Sequence, residues 1–292
     1  MILPKQDFEL LFQLHHSLFV FANVQFQIVE NIDTINKFMK LDMIDKVKVR
    51  NSIYENIDIL KDFYKENPFN FAERDLKIVL DWKYFIKDRF IAFKQMKKYC
   101  TFLHDQGAES KVYGVLGLTE SLDEKIDRFP KLIETVLLPF KNYIIHDGYF
   151  SQYGIYWGSN IRTAMKEEYN KAVAKYGIIE QLPFKPPAQH DMLVGQLQYY
   201  MKSEKNIAFY ADEIDLLIGN NPDLQEIYHH EFAKVSFKKY KKRLKELGIT
   251  TGWIAMLDDM IIASGITEEK LKATVNDMIA EHMQMNVIYF KL

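Results

Sequence analysis

The sequence predicts an α+β, mostly helical fold: an N-terminal helical bundle over residues 1–87, a central β-rich module with helices over 88–180, and a C-terminal helical domain over 187–292. Three observations predict it. Apolar residues recur at three- and four-residue steps on both sides of the middle of the chain, which is the helical period. Between Arg89 and Gly158 that period gives way to short aromatic and β-branched runs closed by Gly, Pro and Asp, the pattern of strands and turns. Gln181-Leu-Pro-Phe-Lys-Pro-Pro then sets three prolines in five residues, which no helix interior accepts, and marks a domain boundary.

In order, Phe8, Leu11, Leu14, His15, Leu18, Phe19, Ala22, Phe26 and Val29 define a first long helix, apolar on a wide face. Asp33 caps a short turn, and Asp42 or Asp45 starts a helix through Val49, Ile53, Ile57 and Leu60 that Asn67-Pro68 ends. Residues 70–85 give one more helix, and these helices are expected to form an antiparallel bundle. In the β-rich module, His104-Asp105-Gln106-Gly107 joins two strands as a hairpin. A helix is expected over 122–137, interrupted at Pro130, with Pro139 returning the chain to extended structure. The alternation Tyr153-Gly-Ile-Tyr-Trp-Gly158 predicts a last strand. The helical period returns from Asn160 to Gly177, and beyond the prolines helices are expected over 189–202, 207–218, 222–247, 253–263 and 268–285. The apolar tail Val287-Ile-Tyr-Phe-Lys-Leu is suited to pack back or to extend a sheet edge.

Composition narrows the function classes. With 292 residues, 48% hydrophobic and 27% charged, the chain is globular and holds more than one core. A net charge of −2 gives no whole-molecule attraction to nucleic acid or anionic lipid, so any such affinity needs a local patch. The single Cys100 excludes an intramolecular disulfide and a multi-cysteine zinc site, and fits a reducing cytoplasm. The apolar run from Phe8 is interrupted by Glu9, His15 and His16 and lacks a small-residue cleavage site, so it reads as a buried helix and not as an export signal. No window reaches the roughly 18 uninterrupted apolar residues of a membrane-spanning helix, and no membrane partner is expected.

Val112-Tyr-Gly-Val-Leu-Gly-Leu and Val136-Leu-Leu-Pro-Phe-Lys-Asn-Tyr-Ile-Ile-His-Asp-Gly resemble a set of uncharacterised bacterial proteins, some of which end in a cysteine-rich SEC-C metal-binding segment. The resemblance covers residues 70–185, and the cysteine-rich tail is absent here. It implies a bacterial cytoplasmic protein and supplies no activity.

The chemical candidates are few. His146-Asp147 and His190-Asp191 invite comparison with metal-dependent phosphohydrolases, but Asp-Gly after a strand is turn chemistry, and the second pair opens a helix. His229-His230 and His15-His16 occupy adjacent helical positions about 100° apart and do not chelate one ion easily. Cys100 in an aromatic strand reads as inert core, and Gly114-Val-Leu-Gly117 lacks the phosphate-loop pattern. Six lysines and one arginine with no acid lie between Lys234 and Lys245. Helical geometry gathers Lys234, Lys238, Lys241, Lys242 and Lys245 on one stripe opposite Phe237, Tyr240, Leu244 and Leu247, a face able to meet phosphates or simply to be solvated. A second basic stretch, Lys83 to Lys98, is interleaved with aromatics, as single-stranded nucleic acid would require. The expectation is a cytoplasmic binding or regulatory protein without cofactor or metal, contacting a protein or nucleic acid through the lysine helix. The alternative is a metal-dependent hydrolase using His146, Asp147, His190 and Asp191.

Overall fold

The computed structural model describes every residue except Asn220, and the backbone alone at Ala108. It is α+β and mostly helical, and the chain divides into two compact units: Met1–Val173 with Gly177–Pro186, and Ala174–Tyr176 with Pro187–Leu292.

In the first unit, α1 (Lys5–Phe26) is followed by α2 (Ile35–Met39), α3 (Met43–Glu55), α4 (Ile59–Glu66) and α5 (Glu73–Asp81). Thr34 and Asp42 cap α2 and α3 by accepting the N–H three residues on, and Asn67 ends α4 in the left-handed region. From Leu18 to Asn23 every residue of α1 is buried, so it is the central helix of the group. Asn23 bonds the backbone of Val29 and Ile32 and so fixes the loop that leaves α1.

A ring of strands follows: β1 (Ile86–Gln95), β2 (Cys100–His104), β3 (Lys111–Leu116), the single turn α6 (Leu122–Lys125), β4 (Lys131–Phe140) and β5 (Tyr143–Gln152). β1 pairs antiparallel with β2 and β4, β2 antiparallel with β3, β4 antiparallel with β5, and β3 parallel with β5. The circuit β1-β2-β3-β5-β4 therefore closes, with a helix between β3 and β4, which is the connectivity of an OB barrel. Phe90, Phe102, Tyr113, Ile133 and Ile144 fill it, and Leu122 and Ile126 pack with them. α7 (Ser159–Tyr176) leads to β6 (Ile178–Ile179), which lies parallel to the start of β3.

The alternation of strand side chains decides what covers the barrel. Val136, Leu138, Phe140 and Ile145 point outward into the same core as Leu18, Phe19 and Phe63 of the helices. Residues 1–87 and 88–180 are thus one unit rather than two. Ile91, Leu103 and Val112 face outward against Met165, Tyr169 and Ala172 of α7.

Three local expectations are corrected here. Residues 122–137 do not form a helix: the Ser121–Glu124 capping box supports one turn, and β-branched Ile133, Thr135 and Val136 then run as β4. Pro139 lies inside β4, tolerated because β1 begins opposite Leu137 and leaves that side of the strand free. Residues 153–158 are not a strand, since Tyr153 N–H donates to Leu132 O as the last ladder bond and no further partner follows.

The second unit contains α8 (Gln189–Tyr200), α9 (Glu204–Phe209), α10 (Ala211–Ile218) and the long α11 (Pro222–Glu246) around Leu197, Met201, Tyr210 and Leu224. The expected helix over 253–263 is instead the hairpin β7 (Trp253–Leu257) and β8 (Met260–Gly265), turned at Asp258 with φ of 53°. Then come α12 (Glu268–Met278), α13 (Glu281–Gln284) and β9 (Val287–Lys291). The tail does extend a sheet: β9 pairs with β7, giving the order β8-β7-β9. Ile254 and Met256 face Ala233, Phe237 and Tyr240 of α11, while Ala255 faces Leu271 and Val275 of α12.

Candidate functional site

The most elaborate local chemistry lies where β5 departs from regular pairing. Leu137 of β4 opposes His146 and Thr135 opposes Phe150, so Asp147, Gly148 and Tyr149 stand against Val136 alone. Such a bulge re-aims side chains. Gly148 supplies the positive φ of 91° that the bulge needs. Its freed amides are satisfied locally: Gly148 N–H donates to His146 Nδ1 at 3.1 Å, and Tyr149 N–H to Asp147 Oδ1 at 3.2 Å. The sequence reading of His146-Asp147-Gly148 as a strand end is therefore corrected to a bulge inside a strand.

The bulge sends Asp147 out of the barrel and into α3. Arg50 Nε donates to Asp147 Oδ2 at 2.5 Å, with the two side chains 9% and 0% exposed, and Tyr54 OH donates to the same oxygen at 3.4 Å. Burial pushes the Asp147 pKa up while the Arg50 guanidinium opposes it, and burial holds Tyr54 well above the ordinary phenol value. An ion pair of this kind is weak support for stability as a pair, yet severe to break.

Beside it is a cavity of about 280 Å³. Its walls are apolar, with Phe8, Leu11 and Phe12 from α1, Met39, Met43 and Leu118. Three histidines line it. His146, 1% exposed, has its pKa lowered to about 3 by burial and by Lys125. His15, 6% exposed, is held well below the ordinary value by burial, and His16 is lowered by burial too. All three are neutral near pH 7. Because His146 Nδ1 accepts from Gly148, its Nε2 carries the proton; His16 Nδ1 donates to Phe12 O at 2.8 Å, leaving its Nε2 as an acceptor. His15 Nε2 has no hydrogen-bond partner among the described residues. The cavity thus offers hydrogen-bonding imidazoles, while a group with a pKa of about 3 is far from the working range of a general base at neutral pH.

Of the residues singled out from sequence, His146 and Asp147 line this cavity, but the Asp147 carboxylate is committed to Arg50. His190 and Asp191 are exposed on the first turn of α8 in the second unit. Among the described residues no three His, Cys, Asp or Glu side chains converge as a metal site. Cys100 is buried inside the barrel. Arg50, Tyr54 and the role of His15 were missed; the available signal was an arginine beside Val49 on the buried face of an amphipathic helix.

The lysine stripe is real as geometry, though thinner than the sequence suggests. Lys234 pairs with Glu231 at 2.9 Å, and Lys241 donates to Lys291 O at 3.2 Å. Lys238, Lys242 and Lys245 are exposed and make no ion pair among the described residues. Phe237 and Tyr240 dock the helix on the sheet, as expected of its apolar stripe, whereas Leu247 is exposed. Two aromatics of the other basic stretch are occupied within the fold: Phe90 is inside the barrel, and Phe93 stacks on Tyr169 of α7, while Tyr84 is exposed. Compared with protein-family models, with curated proteins and with solved structures, the chain finds no match in any of the three, so the barrel connectivity stands on its own pairings.

Proposed function

We propose that this chain is a binding protein of the bacterial cytoplasm, and that its N-terminal unit holds a small molecule in the cavity beside the Asp147–Tyr149 bulge. One observation carries the reading: an apolar cavity gathers three desolvated, neutral imidazoles, one of which has a buried nitrogen with no partner. Apolar walls with a few convergent polar groups of perturbed pKa are the usual composition of a ligand site. A buried polar atom left without a hydrogen bond loses about 1–3 kcal/mol, which a ligand supplying the bond recovers. The test is a saturation-transfer NMR screen of a fragment collection against the wild type and Thr119→Trp, which obstructs the cavity from an exposed wall position. Fragments that bind the wild type and lose their signal with the variant are expected. An absence of hits, or hits indifferent to the tryptophan, would refute the reading.

A second reading concerns the other unit, favoured by Lys238, Lys242 and Lys245, which lie along one stripe of α11 and make no ion pair among the described residues. Here we propose contact with nucleic acid through phosphate neutralisation. The barrel adds nothing to it, because α7 covers the outer residues Leu103 of β2 and Val112 of β3, on the face where open barrels of this connectivity take oligonucleotides. Fluorescence anisotropy of labelled single- and double-stranded DNA and RNA at low and physiological salt is the measurement. Replacing the three lysines by glutamate is expected to abolish a salt-sensitive association, and the absence of any association at low salt sets this reading aside.

A further inference from the structure

We infer that the cavity beside the bulge takes a small monocarboxylate, its anionic end toward Lys46, Lys125 and the His146 Nε2–H, and its hydrocarbon body against Phe8, Leu11 and Phe12. The inference rests on the small-molecule reading above and gives that ligand its chemical class.

Charge is the first argument. Among the residues lining the cavity the cations are Lys46 and Lys125 and the one carboxylate is Asp147. Asp147 is matched by Arg50, and Lys125 by Glu120 at 3.1 Å. Lys46 Nζ donates a hydrogen bond to Met39 O at 2.8 Å and makes no ion pair among the described residues. Pairing these groups off leaves one uncompensated positive charge, which a monoanion matches and an amine does not.

The donors supply the second argument. A phosphate dianion is ordinarily held by an arginine fork or by a nest of backbone N–H groups. Here the arginine is taken by Asp147, and the two bulge amides are taken by His146 Nδ1 and Asp147 Oδ1. What remains is the His146 Nε2–H and the ammonium of Lys46, beside the unpartnered His15 Nε2 and the Thr119 hydroxyl, with Lys125 sharing its charge with Glu120. Those donors suit one carboxylate. The volume of about 280 Å³ lies at the lower edge of ordinary ligand pockets, so the body is short.

Isothermal titration of the full chain with octanoate, octanol and octylamine tests the assignment, alongside Lys46→Met and Lys125→Met. Octanoate is expected to bind, octanol about tenfold more weakly and octylamine not at all, and Lys46→Met to weaken octanoate about tenfold. Lys125→Met, whose exposed side chain leaves folding intact, is expected to weaken it about threefold, as a partly screened charge does. Equal binding of all three compounds overturns the carboxylate while leaving a small-molecule site standing. No binding of the three, when fragments still bind and are blocked by Thr119→Trp, overturns the assignment alone. No binding by either route overturns both.

Discussion

Arg50→Met is the sharpest perturbation of the first unit. Methionine keeps much of the stem and removes the guanidinium, leaving Asp147 charged and buried. Breaking a buried pair in this way costs about 3–5 kcal/mol. Tyr149 N–H and Tyr54 OH still contact the carboxylate, which places the loss near the lower end, about 3 kcal/mol. Adding Asp147→Leu removes the orphaned charge and is expected to recover about 2 kcal/mol. The pH dependence has a definite sign. The Asp147 pKa is raised by burial and restrained by Arg50, so it rises further in the variant. A carboxyl whose folded pKa exceeds its unfolded value favours folding when protonated, and that contribution is lost as pH rises through the folded pKa. The Arg50→Met deficit therefore shrinks on acidification toward the ordinary carboxyl range. Guanidinium denaturation in a Trp253→Phe background reads this unit alone, because Trp82 and Trp157 both lie in it. A loss under about 1 kcal/mol at neutral pH, of the size found for exposed pairs, or a double variant no more stable than the single, would refute the reasoning.

His146 gives a second pH signature. Its folded pKa of about 3 lies below its ordinary 6.5, so its contribution is complete above 6.5 and drains away as pH falls, by up to about 1.4 kcal/mol per unit. His146→Gln should flatten the decline of thermal stability below pH 6.5, and identical slopes would contradict this. A Cβ on Gly117 would sit 2.1 Å from Glu120 O, so Gly117→Ala should destabilise by at least about 1–3 kcal/mol in denaturant titration. Burial raises the Cys100 thiol far above its usual value inside the barrel, so thiol reagents should label it only after unfolding, and rapid labelling of the native chain would count against the closed ring.

Much of this architecture was legible in the residues. The helical faces of α1 and α11, the β2–β3 hairpin and the docking of Phe237 and Tyr240 follow from period and turn chemistry alone. The hairpin at 253–265 was not read because Trp253-Ile-Ala-Met-Leu257 is a short apolar run, which periodicity cannot assign between strand and helix. The turn residues Asp258-Asp259 were the usable signal. Tyr153 to Trp157 alternates like a strand and lacks a neighbour, and pairing is a property of the whole chain. His146 and Asp147 stood out as types, but their roles depend on Arg50, 97 residues from Asp147 in sequence, and on a bulge whose extra residues only the register with β4 reveals.

The closed ring has a kinetic consequence. β1 meets β2 after a short turn, whereas its other neighbour is β4, with Phe90 opposite Ile133, and closure waits for β5 to reach β3. Such non-local pairing folds slowly, while β7 and β8 are joined by two residues. During synthesis α1 to α5 leave the ribosome before Val136, Leu138, Phe140 and Ile145 exist to cover them. For that interval the nascent chain displays the apolar faces that chaperones grip, so the N-terminal unit should depend on folding assistance more than the C-terminal one.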